Sequence, residues 1–461
     1  MKKFRMPTAY TILFLLLILV AAATWLIPAG SYDHGADGVP AAGTYHRVEP
    51  TPQGAGDVVL APFRGFYDAV DVAVFILMVG GFLGVVMRTG AIDAGVSHVI
   101  GLLGGREIWL IPVLMLLFSL GGTSFGMWEE TMAFYPLLIP VFVSAGYDPL
   151  VGIAVVLLGS GAGVMASTVN PFATGIASGF AGASLGDGLG TRLAMLAVFD
   201  AAAIWYVMRY AARIRSHPER SLTAGFSQKF QRPAGGDVPM LTGRRKLVLA
   251  VFALVFLVMI YAVIPFDDLG LPLPALGWWF PELSGLFLAG GLLIGLVYGL
   301  GEADTAEAFV AGAADLIGVA LIIGISRGVT VLMNGGQITD TVLHWGEQAL
   351  EGAGSVLFVA LVYLIYLPLS ILIPSSSGLA TLSIPIVAPL GRFAGVDPAL
   401  IVTAFQAASG LVNLVTPTAA VVMGALAFGG VPYDRWVRFV WKLLLIFFLL
   451  TLAFLAVSAV L

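Results

Sequence analysis

The sequence predicts an all-α polytopic membrane protein made of two inverted-topology repeats, each with a re-entrant hairpin and a broken transmembrane helix. Three observations carry this. Hydrophobic residues fill 59% of 461 positions and charged residues 11%, against about 25% charged in soluble domains. Residues 352–391 form a run of 40 without a charge, about twice what one helix needs to cross a bilayer. A polar, helix-breaking knot sits near its middle. The halves also match at an offset of 249 residues, where Pro136, Pro140, Gly146, Asp148, Pro149, Ser160 and Gly161 answer Pro385, Pro389, Gly395, Asp397, Pro398, Ser409 and Gly410.

Taken in order, Lys2, Lys3 and Arg5 precede an uncharged run over 6–32, too long for a signal-peptide core, which reads as the first span. Residues 30–66 read as a polar Gly/Pro loop, 67–88 as a span and 92–104 as a short interfacial helix. Two apolar arms over 108–128 and 131–147 flank GGTSFGMWEE, the tip of a first hairpin. Residues 149–186 are uncharged but broken by ASTVNP at 166–171. A span over 191–210 leads to a hydrophilic stretch, 209–246, with nine Lys or Arg against Glu219 and Asp237. Spans near 247–266, 283–301 and 312–334 follow, then an interfacial segment over 338–351. A second hairpin has Ser375, Ser376 and Ser377 at its tip. Residues 398–433 are uncharged and interrupted by SGLVNLVTPT at 409–418, and a last span covers 434–460. Broken helices at membrane depth persist only where freed backbone groups face protein, water or ligand.

Charge placement orients the chain. With the N-terminus and 209–246 inside, 17 Lys and Arg are cytoplasmic and 4 external, with Arg327 inside a span. That bias fits the positive-inside rule and an inner-membrane location. The chain has no Cys, hence no thiol nucleophile and no disulfide framework.

The pentapeptide Gly122-Thr123-Ser124-Phe125-Gly126 fits the nucleophile elbow of hydrolases, but that motif needs a strand-to-helix turn and a His base. All five His lie in loops or interfacial segments, so no enzyme is expected. Ser, Thr and Asn cluster instead at the four break points: Thr123 and Ser124; Ser167, Thr168, Asn170 and Thr174; Ser375, Ser376 and Ser377; Asn413, Thr416 and Thr418. Single hydroxyls often glue membrane helices, yet four clusters at symmetric breaks point to a binding site of the kind secondary transporters build. Ionisable residues within spans are functional candidates. Arg327 is a partner for a substrate carboxylate or an internal acid, Asp200 for a proton, and Glu129 and Glu130 for a substrate cation. Thr123, Ser167, Thr168, Ser409 and Asp200 are the candidates for coupling Na⁺ or H⁺, and no other cofactor is expected. The expected partners are a small carboxylate-bearing substrate and the bilayer, with no nucleic acid. A passive channel is the alternative, though it needs a continuous polar stripe along its spans.

GLVNLVTPTAAVVMGALAFGGVPY (410–433), LIPSSSGLAT (372–381), GMWEET (126–131) and ISRGVTVLMNGGQITD (325–340) resemble the YfcC-like branch of the anaerobic C4-dicarboxylate carrier family, within the ion transporter superfamily. The resemblance covers nearly the whole chain. It implies a homodimer with an elevator-type motion, in which 1–104 and 247–352 are scaffold halves, 211–246 is a cytoplasmic linker, and 105–210 and 353–461 are mobile transport halves. Within the latter, hairpins fall at 106–146 and 353–392, and broken helices at 149–186 and 398–430. Substrate and cation sites are implied at Ser124, Asn170, Ser376, Asn413, Thr416 and Thr418. The superfamily's Ser-Asn-Thr tip is replaced here by Thr-Ser-Phe-Gly and Ser-Ser-Ser-Gly. The branch spans organic-acid carriers and basic amino-acid antiporters, so the cargo stays open between an amino acid and a C4-dicarboxylate.

Overall fold

Apolar segments with no water to satisfy their backbone fold as helices. The computed structural model describes residues 9–33, 41, 43–95, 98, 106–184, 186–224, 240–263, 266, 273–278 and 280–460, and most of these are helical. The first half holds α1 (Ala9–Ala23), α2 (Ala55–Asp68), α3 (Val70–Arg88), α4 (Leu110–Phe125), α5 (Tyr135–Ser144), α6 (Pro149–Met165), α7 (Ile176–Ala181) and α8 (Leu189–Ser216). The second holds α9 (Gly243–Val263), α10 (Phe280–Tyr298), α11 (Glu302–Asp315), α12 (Ile317–Gly335), α13 (Thr339–Leu350) and α14 (Ser355–Leu372). It ends with α15 (Ser376–Phe393), α16 (Pro398–Asn413), α17 (Ala420–Gly429) and α18 (Tyr433–Ser458). A short antiparallel pair, β1 (Gly30–Ser31) with β2 (His46–Arg47), lies between α1 and α2.

Six described helices are long and apolar enough to cross a membrane: α3, α4 with the turn before it, α8, α10, α14 and α18. Large apolar side chains such as Leu117, Leu120, Leu296 and Leu449 remain exposed on them, a surface that lipid covers. The protein is a multi-pass helical membrane protein.

The core is built on the broken helices. Every residue of α6 is buried, and so is α16 from Ala399 to Asn413. A helix apolar all round belongs inside. Both start alike, with an Asp cap and Pro in the first turn. Asp148 Oδ1 accepts from the Val151 amide at 3.1 Å, and Asp397 Oδ1 from the Ala399 amide at 2.9 Å, satisfying N-terminal donors that the helix leaves open. Hairpin arm α4 packs on α6, arm α14 packs on α16, and α6 and α16 touch each other. Around this body α2 crosses α12, and α3 crosses α10 and α11.

Several elements depart from the sequence expectation. Residues 55–66, read as loop, belong to α2, which runs into α3 through a break at Ala69. The span read over 312–334 is preceded by α11, separated from α12 at Leu316. The last span and the segment read over 338–351 are both helical, as α18 and α13. The second break lies at 414–419, so Ser409 sits within α16 rather than in the break. Helix α8 continues to Ser216, so the basic stretch begins on a helix. Much of 92–104 and of the linker lies outside the described residues.

Candidate functional site

The ends of these elements converge on one cavity of ≈ 310 Å³. The first hairpin tip contributes Gly126, Trp128, Glu129 and Glu130, and the first break contributes Asn170. The second tip contributes Pro374 to Ser377, and the second break Asn413, Thr418 and Ala419. Asp68, Ala69 and Asp71 reach it from the α2–α3 break, and Ser326 and Arg327 from α12. Local chemistry explains the convergence. Helix α4 stops because Gly126 takes a left-handed conformation, φ +78°, which glycine adopts without a steric penalty. A Cβ there would lie 2.5 Å from Asn170 Nδ2, so the missing side chain lets tip and break meet. Helix α15 starts because Ser375 caps it, its Oγ accepting from the Gly378 amide at 3.2 Å.

Charge in the cavity is uneven. Among the described residues, four carboxylates line it, those of Asp68, Asp71, Glu129 and Glu130, against the one guanidinium of Arg327. Arg327 Nε lies 4.0 Å from Asp68 Oδ2 on the α2–α3 break, and its charge also acts on Glu129 at the first tip. Glu130 Oε2 accepts from the Trp128 amide at 3.1 Å. Two helix N-termini, those of α15 at Ser376 and α17 at Ala420, also open onto the cavity, and helix N-termini favour negative charge. The cavity thus offers acids for a cation and helix starts for an anion.

Of the residues singled out from the sequence, Glu129, Glu130, Asn170, Arg327, Ser375, Ser376, Ser377, Asn413 and Thr418 line this cavity. The others lie outside its lining. Ser124 Oγ donates back to the Leu120 carbonyl at 2.6 Å. Thr416 and Thr418 hydroxyls are 2.8 Å apart, and Thr174 donates to Ser167 Oγ at 2.5 Å. Ser409 is buried in α16. Asp200 accepts from Ser119 Oγ at 2.9 Å, on the α4–α8 contact. Thr123 and Thr168 form a closed knot: Thr123 Oγ1 donates to Thr168 Oγ1 at 3.2 Å, and Thr168 Oγ1 donates to the Thr123 carbonyl at 3.1 Å.

Beside this knot Arg192, 1% exposed, donates to the Thr168 carbonyl at 3.0 Å and to the carbonyls of Ser167 and Asp187. The exposed Asp187 carboxyl is held below the usual carboxylate range, first by the Ser184 amide and then by its hydroxyl. Two acids and two uncharged polar residues of the lining, Asp68, Asp71, Ser326 and Gln406, were not singled out for the site from sequence. Gln406 lies within the uncharged run 398–433, between apolar neighbours Phe405 and Ala407.

A multi-pass helical protein with a polar, charged cavity between hairpin tips and helix breaks belongs to the class of membrane transporters. The chain is a member of the C4-dicarboxylate anaerobic carrier (DcuC) family, whose model matches residues 6–460. It is 35% identical over 489 residues to an uncharacterized protein of Haemophilus influenzae, covering 95% of this chain and 94% of that one. It is 31% identical over 481 residues to the putative basic amino acid antiporter YfcC of Escherichia coli K12, covering 95% and 93%. Among solved structures, the YdaH transporter of Alcanivorax borkumensis aligns over 98% of both chains with 16% identity and a TM-score of 0.47.

Proposed function

We propose that this protein is a secondary active transporter of a cationic amino acid of the lysine, arginine and ornithine class, working by exchange or by coupling to a cation gradient. The observation that carries this reading is the cavity's composition, four carboxylates and one guanidinium beside two helix N-termini. An amino acid with a cationic side chain presents both charges that such a lining accepts. A C4-dicarboxylate brings two negative charges. Each carboxylate pair 4 Å apart at an effective dielectric of 20 costs about 4 kcal/mol, and Arg327 is one cation among four acids, 4.0 Å from Asp68. The name of the Escherichia coli relative agrees with this choice.

The transport cycle follows from the repeat. Residues 1–104 and 247–352 form the scaffold, and 105–210 and 353–461 form inverted mobile halves whose hairpins and broken helices carry the cargo past it. The chain works as a homodimer in the bacterial inner membrane, with the N-terminus and 211–246 cytoplasmic. A passive channel is disfavoured because polar side chains concentrate at the breaks and leave no stripe along the spans.

In proteoliposomes, Glu129→Gln and Asp71→Asn each lower uptake of lysine, arginine and ornithine at least tenfold, while any uptake of succinate stays level or rises. Wild-type protein that carries succinate and none of the three amino acids rejects this assignment.

A further inference from the structure

Buried side-chain polar atoms are normally paired, and each exception calls for a reason. Among the described residues, Ser326 and Gln406 are the two that both line the cavity and keep a buried side-chain oxygen without a hydrogen-bond partner. Gln406 is 1% exposed, and its Nε2 donates to the Val164 carbonyl at 2.8 Å. That bond tethers α16 to α6 and fixes which end of the amide is the acceptor, so Oε1 is the atom left over. Ser326 is 3% exposed. Helical hydroxyls elsewhere in the chain bond back to the carbonyl four residues earlier, as Ser284, Thr381, Ser383 and Thr403 do. Ser326 makes no such bond, so its hydroxyl is left without a partner inside the fold.

We propose that Gln406 Oε1 and Ser326 Oγ form the seat for a positively charged nitrogen of the substrate. This rests on the cationic amino-acid reading above and names its specificity determinants. The chemistry is one-sided. An amide oxygen accepts and cannot donate, an ammonium offers three N–H donors and a guanidinium five, and a dicarboxylate offers none. A dicarboxylate therefore leaves Gln406 Oε1 unpaired, whereas a cationic nitrogen satisfies it beside the four acids of the same cavity. Sites built to hydrogen-bond a substrate group discriminate strongly against analogues that lack it. Ser326 lies on α12 and Gln406 on α16, so the seat draws on both the second scaffold half and the second mobile half.

The test is a binding series on the purified full chain, by calorimetry or ligand-dependent thermal shift. The ligands are lysine, norleucine, which lacks the ε-ammonium, and 6-aminohexanoate, which lacks the α-ammonium. Gln406→Leu and Gln406→Glu both remove the donor to Val164, and only the second keeps an acceptor. Gln406→Leu is expected to reduce discrimination of lysine against one of the two analogues at least tenfold, with Gln406→Glu restoring it. Ser326→Ala is expected to reduce the same discrimination several-fold while leaving the unliganded unfolding temperature unchanged, since its hydroxyl has no partner to lose. Undiminished discrimination in Gln406→Leu and Ser326→Ala overturns the seat and leaves the cargo assignment standing. Equal losses in Gln406→Leu and Gln406→Glu overturn it in favour of a purely structural amide. Wild-type protein that binds no cationic amino acid removes the cargo assignment and the seat with it.

Discussion

Arg192 brings a guanidinium to the C-terminal end of α6, where the last carbonyls of a broken helix lack intrahelical partners. It donates to the Ser167 and Thr168 carbonyls and to that of Asp187. The end of a helix carries partial negative charge, and here the protein's own side chain supplies the opposing cation. The hydroxyls that the sequence offered for a coupling ion, Thr123, Ser167 and Thr168, are bonded to one another, to Thr174 and to backbone. Arg192→Ala leaves several buried carbonyls unpaired, each costing about 1–3 kcal/mol. The expected outcome is a fall in folded yield and in unfolding temperature in detergent, with Arg192→Lys recovering only part, because an ammonium lacks the planar fork. Unchanged stability in Arg192→Ala would show that water replaces the guanidinium without loss.

At the scale of elements, the packing of α2 and α3 on α12 and α11 depends on backbones that approach closely. A Cβ on Gly65 of α2 would lie 2.3 Å from the Gly324 carbonyl of α12, and one on Gly84 of α3 would lie 2.2 Å from the Ala308 carbonyl of α11. Small residues are the usual means of packing membrane helices this tightly. Gly65→Val and Gly84→Val force the pairs apart, at about 1–3 kcal/mol or more each, whereas Gly56→Ala meets nothing within 4 Å and is expected to be silent. Size-exclusion profiles and thermal unfolding of the three variants check this; a monodisperse, wild-type-like Gly65→Val protein would contradict the packing. The helix breaks near Gly126, Asn170, Ser375 and 414–419 were legible in sequence because long uncharged runs carry a Ser, Gly or Pro knot there. Helix α2 was not. Pro52, Gly54, Pro62 and Arg64 look like loop chemistry, and the segment is helical through its contacts with α12, contributed by the other half of the chain. That misreading also hid Asp68, which sat at the edge of an expected span instead of at a break. Gln406 and Ser326 were invisible for a related reason, since a lone amide or hydroxyl in an apolar helix looks like helix glue until its missing partner is seen.

The whole molecule contains a second cavity of ≈ 590 Å³ between α3 and α11 on one side and α5 with the end of α17 on the other. Asp93, Glu307 and Asp315 line it together with Arg88. It meets α3 toward its Arg88 end, whereas the first cavity meets α3 at Asp71. Both recesses are acidic, and α3 lines both. In the orientation proposed from the charge bias, the Arg88 end faces the cytoplasm, the second cavity is an inward-facing vestibule and the start of α2 lies outside. The absence of cysteine makes this directly testable. Ala427 is exposed in this recess and Ala55 is exposed at the start of α2, while Met240 is 81% exposed near the end of the 211–246 segment. With a membrane-impermeant thiol reagent, Ala55→Cys is expected to label in intact cells, and Met240→Cys and Ala427→Cys only after permeabilisation. Labelling of Met240→Cys in intact cells reverses the orientation. Labelling of Ala427→Cys alone in intact cells would mean that the recess opens outward, and the vestibule would then serve release to the opposite side.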